Sequence, residues 1–306
     1  MPEAATAPLT IVIPTYDRPL LVRAAVLSAL SAIPEGGEVI VVDDHSRLPA
    51  AESLADLARP GLRVLLNGCA RGPAGARNFG VGQARSGMIL FLDDDDLMVS
   101  GYPAHLLDLR RSAPHLKYGF SAIEPFADGR EVASLPEYVD TGGTILATLT
   151  FRKQVGGLGC GFWIMRDHFL SLGGIAEDLL VNEDTDFSCR LLAADEPGWF
   201  SDGPGVWVRQ HSATGDGADL GNLTRRTGPA ARAGCFWAIL LRNADWLAKN
   251  RDARRHILKR LLKMQAKAGL MGQGLATCRS AAAKGMRAEL GAYFVLNIAL
   301  YRFRRD

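Results

Sequence analysis

Four consecutive aspartates, Asp93 to Asp96, follow the apolar run Met88-Ile89-Leu90-Phe91-Leu92. Adjacent carboxylates repel one another, and each is more stable beside a cation. A hard divalent metal carrying a diphosphate is the simplest partner, because such ions prefer carboxylate oxygens. Taken alone, the run fits equally well a solvated turn in which an Asp caps the next helix. Other polar clusters bear on the choice. Pro14-Thr15-Tyr16-Asp17-Arg18-Pro19 is a stiff turn offering a hydroxyl, an aromatic ring and a guanidinium, and Val42-Asp43-Asp44-His45-Ser46 is a second acidic group. Ala76-Arg77-Asn78 adds a cation, Asn182-Glu183-Asp184-Thr185-Asp186 more carboxylates, and Arg209-Gln210-His211-Ser212 an imidazole.

The elements that must position these groups are legible from periodicity. Apolar stretches at residues 9–14, 38–43, 62–67 and 88–92 read as buried strands. Between and after them, helices are expected over 18–32, with Asp17 placed to cap it, and over about 50–58, 74–85 and 102–112. Strands alternating with helices imply right-handed crossovers and a mostly parallel sheet. Four successive strand-to-helix junctions then bring polar groups to one crevice, at the sheet edge where open α/β folds bind ligands. After residue 115 the expected strands are 118–126, 162–166 and 205–209, with a helix over 185–194. The glycine-rich stretch 156–161 reads as an irregular, flexible loop, and the chain from about 230 onward as helical.

The first strand is not followed by Gly-x-Gly-x-x-Gly, so a dinucleotide-binding dehydrogenase is excluded. A nucleotidyltransferase would need a glycine-rich loop with Arg at that point. A phosphatase of the Asp-x-Asp-x-Thr type fails because Asp95 is followed by Asp96-Leu97. The chain instead closely resembles the family 2 glycosyltransferases of the GT-A fold. The resemblance rests on Ile13-Pro14-Thr15-Tyr16-Asp17-Arg18, Val41-Val42-Asp43-Asp44-His45-Ser46, Ala76-Arg77-Asn78-Phe79-Gly80 and Phe91-Leu92-Asp93-Asp94-Asp95-Asp96, in the family's order. It continues through Gly173-Gly174 and Asn182-Glu183-Asp184-Thr185-Asp186-Phe187 to His211.

What the resemblance implies is an α/β, Rossmann-like GT-A sheet over residues 1–215, flanked by helices. Residues 1–115 form its nucleotide-binding half and 116–215 its acceptor and catalytic half; 216–306 are a helical C-terminal extension. Such enzymes transfer a sugar from a nucleotide diphosphate with inversion, usually with Mn2+ or Mg2+. By this likeness the donor contacts are Pro14, Thr15, Tyr16 against the base, Arg18, Asp43 or Asp44 reading base or ribose, Asp93 and Asp94. Arg77 either neutralises the diphosphate or holds the carboxylates in place. Asp95 is the expected metal ligand, with His211 near the metal or diphosphate. Asp184 is the general base, and Gly161, Trp163, Glu183 and Asp186 face the acceptor. The donor expected is a UDP-sugar, with dTDP- and GDP-sugars as the other choices. A glycan or lipid-linked acceptor follows, in bacterial cell-surface glycan or glycoconjugate synthesis. Two residues depart from the family pattern: Asp17 replaces an Asn, and His45 a Gly in a turn that must then tolerate a side chain. The absence of Gln-x-x-Arg-Trp implies one sugar per encounter. A sugar-nucleotide-binding protein without turnover is the rival, and it would predict damage at Asp95 or Asp184, both of which are intact.

Bulk properties set the remaining bounds. Hydrophobic content of 48% and charged content of 22% are ordinary for a globular chain. Five scattered cysteines without a Cys-x-x-Cys pair argue against a disulfide framework or zinc site. The N-terminus does not read as a signal peptide, so a cytoplasmic protein is expected, peripheral on the inner face of the membrane. Residues 251–306 hold 13 Lys/Arg against 3 Asp/Glu, whereas residues 1–250 hold 22 against 30. That asymmetry points to an anionic membrane surface or to a helical homo-oligomer interface. Nucleic acid is not expected, since no exposed aromatics interleave with the charge.

Overall fold

Strands β1 (Thr10–Thr15), β2 (Glu38–Asp43) and β4 (Met88–Leu92) are buried at every position. That is why they read as unbroken apolar runs, a pattern reserved for strands covered on both faces. A computed structural model of the chain describes residues 7–127, 136–146, 158–210 and 223–302. The remaining strands are β3 (Leu62–Leu66), β5 (Leu97–Met98), β6 (Tyr118–Phe126), β7 (Gly143–Leu146), β8 (Cys160–Met165) and β9 (Gly198–Arg209). They form one sheet in the order β3-β2-β1-β4-β8-β6-β9-β5, with β7 paired to β9. Its first half, β3-β2-β1-β4, is parallel, and β8 then runs antiparallel to β4.

Helices α1 (Pro19–Ala32), α2 (Ala50–Ser53), α3 (Pro73–Gln83), α4 (Tyr102–Ser112) and α5 (Arg166–Ser171) belong to the same unit as the sheet. On one face, Val22, Ala25, Val26 and Ala29 of α1 pack with Ile11, Ile13, Val39 and Val41, and the same core takes in Leu106 of α4. On the other, α3 comes close through Gly80, where a Cβ would stand 2.4 Å from Val12. Only a glycine lets that helix lie so near the strands.

A second unit joins residues 178–194 to 220–306. It holds α6 (Glu183–Ala193), α7 (Leu223–Arg226), α8 (Pro229–Arg242), α9 (Ala244–Lys249), α10 (Arg251–Lys267), α11 (Met271–Arg279) and α12 (Arg287–Arg302). Ile257, Leu258, Leu261 and Leu262 bury one side of α10, which packs against α8, α11 and α12. No helix among the described residues is long and apolar enough to cross a membrane.

Several boundaries differ from expectation for physical reasons. Helix α1 is not capped by Asp17: Arg18 holds the cap position without a side-chain bond, and Asp17 turns the chain at φ 54°. The expected helix 50–58 is one turn, α2, followed by a 3₁₀ turn at Ala55–Leu57. Strand β9 starts seven residues before position 205, because the glycines and proline in its first half hide a strand broken by register shifts against β6. The helical end is interrupted at Asn243, Asn250 and Gly269, the last at φ 75°.

The end of β4 depends on aromatic packing beneath it. Phe91 is fully buried, stacked on Phe162 at 6.0 Å and tilted against Phe169 at 5.9 Å. Phe91→Ala is expected to lower unfolding stability by about 3–5 kcal/mol, read from urea denaturation.

Candidate active site

The crevice opens where β1 and β4 part. Their pairing runs from Thr10–Ile89 to Val12–Phe91 and stops there, while β1 stays paired to β2 through Thr15. Odd-numbered carbonyls of β1 face β2, since Leu9 accepts the N–H of Glu38 and Thr15 that of Asp44. The N–H of residue 14 would therefore face β4, but Pro14 has none to give. Strand order 2-1-4 makes this gap a switch point, the usual ligand site of an open α/β sheet.

Asp93 to Asp96 form a tight turn on the β4 side, with the Asp96 N–H donating to the Asp93 carbonyl at 3.2 Å. No helix follows, because the chain passes directly into β5, so none of the four is a helix cap. Arg77 donates to Asp93 at 2.5 Å, and Arg77 is itself only 7% exposed. Of the two roles expected for Arg77, the geometry favours holding the carboxylates. Arg18 donates to both Asp94 and Asp95 at 2.9 Å, and the Thr15 hydroxyl donates to the other Asp94 oxygen at 2.8 Å. Asp94, expected at the donor, is thus a buried brace with both oxygens engaged. Asp96 accepts the backbone N–H of Arg209 at 2.9 Å, tying the turn to β9. Burial pushes Asp94 up to about 6, with Arg18 opposing and Asp95 adding to the rise. Burial, then repulsion from Asp93 and Asp95, pushes Asp96 up to about 8.

The turn therefore carries more negative charge than its arginines neutralise. One oxygen each from Asp93, Asp95 and Asp96 lies within 4.8 Å of the others. An all-carboxylate set suits a hard divalent ion such as Mn2+ or Mg2+ and not a soft one. The residues present fit such an ion. Gly159 packs against the same turn, where a Cβ would stand 2.0 Å from the Asp93 carboxyl carbon. Nothing in the sequence pattern singled out that glycine.

On the β1 side, Tyr16 is 41% exposed and the Arg71 guanidinium lies 5.7 Å from its ring centre. Arg71 also donates to the Asp44 carbonyl at 3.3 Å. It was not anticipated, because a single Arg in a loop carries no pattern. Asp17 accepts the Arg47 N–H at 2.7 Å and its guanidinium at 2.9 Å, and so holds the β2–α2 loop. Position 45 adopts φ 65°, so His45 does occupy the left-handed turn required of it. Asp43 accepts the N–H groups of Ser46 at 2.9 Å and Ala50 at 2.8 Å. Asp44 accepts from the Asn67 amide and the Gly72 N–H, both at 2.7 Å. Each pair of bonds fastens a loop that borders the crevice.

Two expected acceptor contacts sit elsewhere. Trp163 is fully buried in β8, part of the core under α1 and α4, so it cannot meet an acceptor. Gly161 is a conformational requirement: its φ is 69°, a Cβ would stand 2.1 Å from the Ser121 hydroxyl, and its carbonyl accepts from Tyr102 at 2.8 Å. Behind the crevice, Asn78 clamps the Gly173-Gly174 turn, exchanging bonds of 2.8 Å with the Ile175 carbonyl and N–H.

In the second unit, Glu183 and Asp184 open α6 after Asn182, which stands at φ 65°. Asp184 is partly exposed and accepts the Thr185 N–H at 2.7 Å. Asp186, expected at the acceptor, is instead fully buried. It is held by Arg190 at 2.9 Å, Asn243 at 2.9 Å and Arg242 at 3.4 Å, and so joins α6 to α8. His211 lies outside the described residues.

Removing the Asp43 carboxylate tests its structural role. Asp43→Ala leaves two loop N–H groups without their acceptor and is expected to cost about 2–4 kcal/mol of unfolding stability. Chemical denaturation checks this; an unchanged midpoint would assign Asp43 to ligand contact alone.

Comparison with known proteins places this arrangement. The glycosyl transferase family 2 model matches residues 10–169, more than half of the chain. A glycosyltransferase of Haemophilus influenzae is 28% identical over 191 residues, 60% of this chain and 62% of that protein. The GalNAc(5)-diNAcBac-PP-undecaprenol beta-1,3-glucosyltransferase of Campylobacter jejuni is 32% identical over 119 residues, 38% of each chain. The chain thus spans less than two thirds of the length of these relatives. Residues 1–349 of S. aureus TarS, solved with UDP-GlcNAc, share the fold at a TM-score of 0.65 and 16% identity. That likeness covers 96% of this chain and 89% of the other. The chain belongs to glycosyl transferase family 2.

Proposed function

We propose that the chain transfers one sugar from a nucleotide-diphosphate sugar to a hydroxyl of a glycan or lipid-linked acceptor, with inversion at the anomeric carbon. The observation that carries this reading is the crevice between β1 and β4. There the Asp93, Asp95 and Asp96 carboxylates gather beside Arg18 and Arg77, with the Tyr16 ring open to solvent. Tyr16 and Arg71 offer a π face and a cation against which a nucleobase stacks. Arg77, itself buried, fixes Asp93, and Arg18 fixes Asp95, so the carboxylates are pre-oriented before a ligand arrives. Asp95, with Asp93 and Asp96, would hold Mn2+ or Mg2+, which when bound supplies Lewis-acid charge to the diphosphate. His211 is retained as a further candidate at the metal or diphosphate.

Asp184 is proposed as the general base. In a single displacement the acceptor oxygen bonds to the anomeric carbon as the bond to the nucleotide diphosphate breaks on the opposite face. The acceptor's proton passes to the Asp184 carboxylate. A UDP-sugar donor is supported by the UDP-GlcNAc held in TarS, and a polyprenyl-diphosphate-linked acceptor by the name of the Campylobacter relative. That relative's name also specifies a beta linkage, which an α-linked nucleotide sugar yields only by inversion.

A panel of UDP-, dTDP- and GDP-sugars with Mn2+ or Mg2+ tests the donor. A UDP-sugar is expected to raise the melting temperature only when the metal is present; a panel without any stabilising member would overturn the reading. Asp184→Asn is expected to lower transfer by about 10²–10⁴-fold while nucleotide affinity stays nearly unchanged. Retained transfer would remove Asp184 from the chemistry. Nucleotide binding without transfer in both wild type and variant would favour a binding protein without turnover.

A further inference from the structure

Helix α12 is apolar on both sides. Leu290, Phe294 and Asn297 are buried at spacings of four and three, on the side that packs against α10 and α11. On the opposite side Ala288, Ala292, Val295, Leu296 and Leu300 repeat at helical spacing and are exposed. Val295 is 63% exposed, Leu296 56% and Leu300 52%. A helix at a water-facing surface normally carries polar residues there.

A row of cations runs beside this stripe. Arg255 and Lys259 of α10 both pair with Glu289 of α12, at 2.5 and 2.8 Å. The Lys259 ammonium lies 5.2 Å from the Tyr293 ring centre, and that of Lys267 lies 5.8 Å from Tyr301. The pairs Arg255–Glu289, Lys259–Tyr293 and Lys267–Tyr301 share one sequence offset, so α10 and α12 run side by side in the same direction. Lys263, one turn beyond Lys259, continues the row. Glu289 is the one carboxylate that α12 sets against it. At the amino end of α12, Arg251, Lys284 and Arg287 line a common cavity.

We propose that this face, the apolar stripe of α12 with the basic row of α10, docks on the surface of an anionic lipid bilayer. The stripe would enter the acyl boundary with α12 lying in the membrane plane, while the ammonium groups meet lipid phosphates. Charge decides between occupants. A second copy of the chain would bring one cationic row against another, whereas an anionic lipid surface complements both the row and the 13-to-3 excess of residues 251–306. The exposed side chains are aliphatic, so they suit acyl chains and do not form a base-stacking platform. This surface stands independently of the sugar-transfer reading.

The test is flotation of the full chain with vesicles of phosphatidylglycerol and phosphatidylcholine, against vesicles of phosphatidylcholine alone. Binding is expected to the anionic vesicles, weakened by salt, and to fall about tenfold or more on the neutral ones. The double variant Leu296→Asp/Leu300→Asp should lose about tenfold or more of that binding without a change in melting temperature. If its melting temperature drops, the pair Lys263→Glu/Lys267→Glu, at a half-buried and an exposed position, provides the same readout. No capture by anionic vesicles, or equal capture of wild type and both variants, overturns the proposal. So does a concentration-dependent dimer in sedimentation that Leu296→Asp/Leu300→Asp abolishes, which would assign the stripe to a second copy.

Discussion

Asp93, Asp94, Asp95 and Asp96 crowd four carboxylates into one turn at the end of a strand whose five residues are all buried. Asp94 and Asp96 are buried and Asp93 and Asp95 half-buried, so most of the neutralisation must come from the protein. Arg18 arrives from the β1–α1 loop, Arg77 from the first half of α3 and the Arg209 N–H from β9. Three otherwise unrelated segments are thereby anchored to one point. Even so, Asp94 and Asp96 remain raised to about 6 and about 8, chiefly by burial. That unmet demand for positive charge is what a cation would supply in the function proposed for the chain. A run of acids without such anchors would be an ordinary solvated loop.

The same economy governs the neighbouring loops. Asp17, Asp43 and Asp44 each spend their carboxylate oxygens on backbone or side-chain donors of adjoining segments. Their chemistry is that of local turn formation, in which Asx side chains substitute for missing backbone acceptors. The effect on the site is indirect but large. These bonds set the walls of the crevice and leave the Tyr16 ring and the Arg71 guanidinium at its rim. Acid residues in the second unit divide similarly. Asp186 is consumed by Arg190, Arg242 and Asn243, whereas Asp184, two residues earlier, stays partly exposed at the start of the same helix.

Much of this was legible without coordinates. Continuous apolar runs identify β1, β2 and β4, because strands buried on both faces tolerate little else. Pro14 and the aspartate run each carry a local meaning, one as the start of a stiff turn and the other as a charge cluster. The order of the motifs along the chain indicates the family, and the family model matches residues 10–169. Less legible was the C-terminal region, where a helical pattern without strong caps hid breaks at Asn243, Asn250 and Gly269.

What the sequence by itself determined is which residue types meet at the carboxyl edge of the sheet, since the alternation of strands with helices follows from local pattern. Only the tertiary structure decided what each residue does there. Asp94 is a brace because it meets both Thr15 and Arg18 from a buried position, whereas Asp95, also bound by Arg18, is only half-buried. Trp163, read as an acceptor contact, lies in the core, and Gly159, read as loop, is what gives Asp93 its room. The physical reason is common to all three. Burial, and the partner a polar atom finds, depend on segments distant along the chain, and no local pattern of residues encodes them.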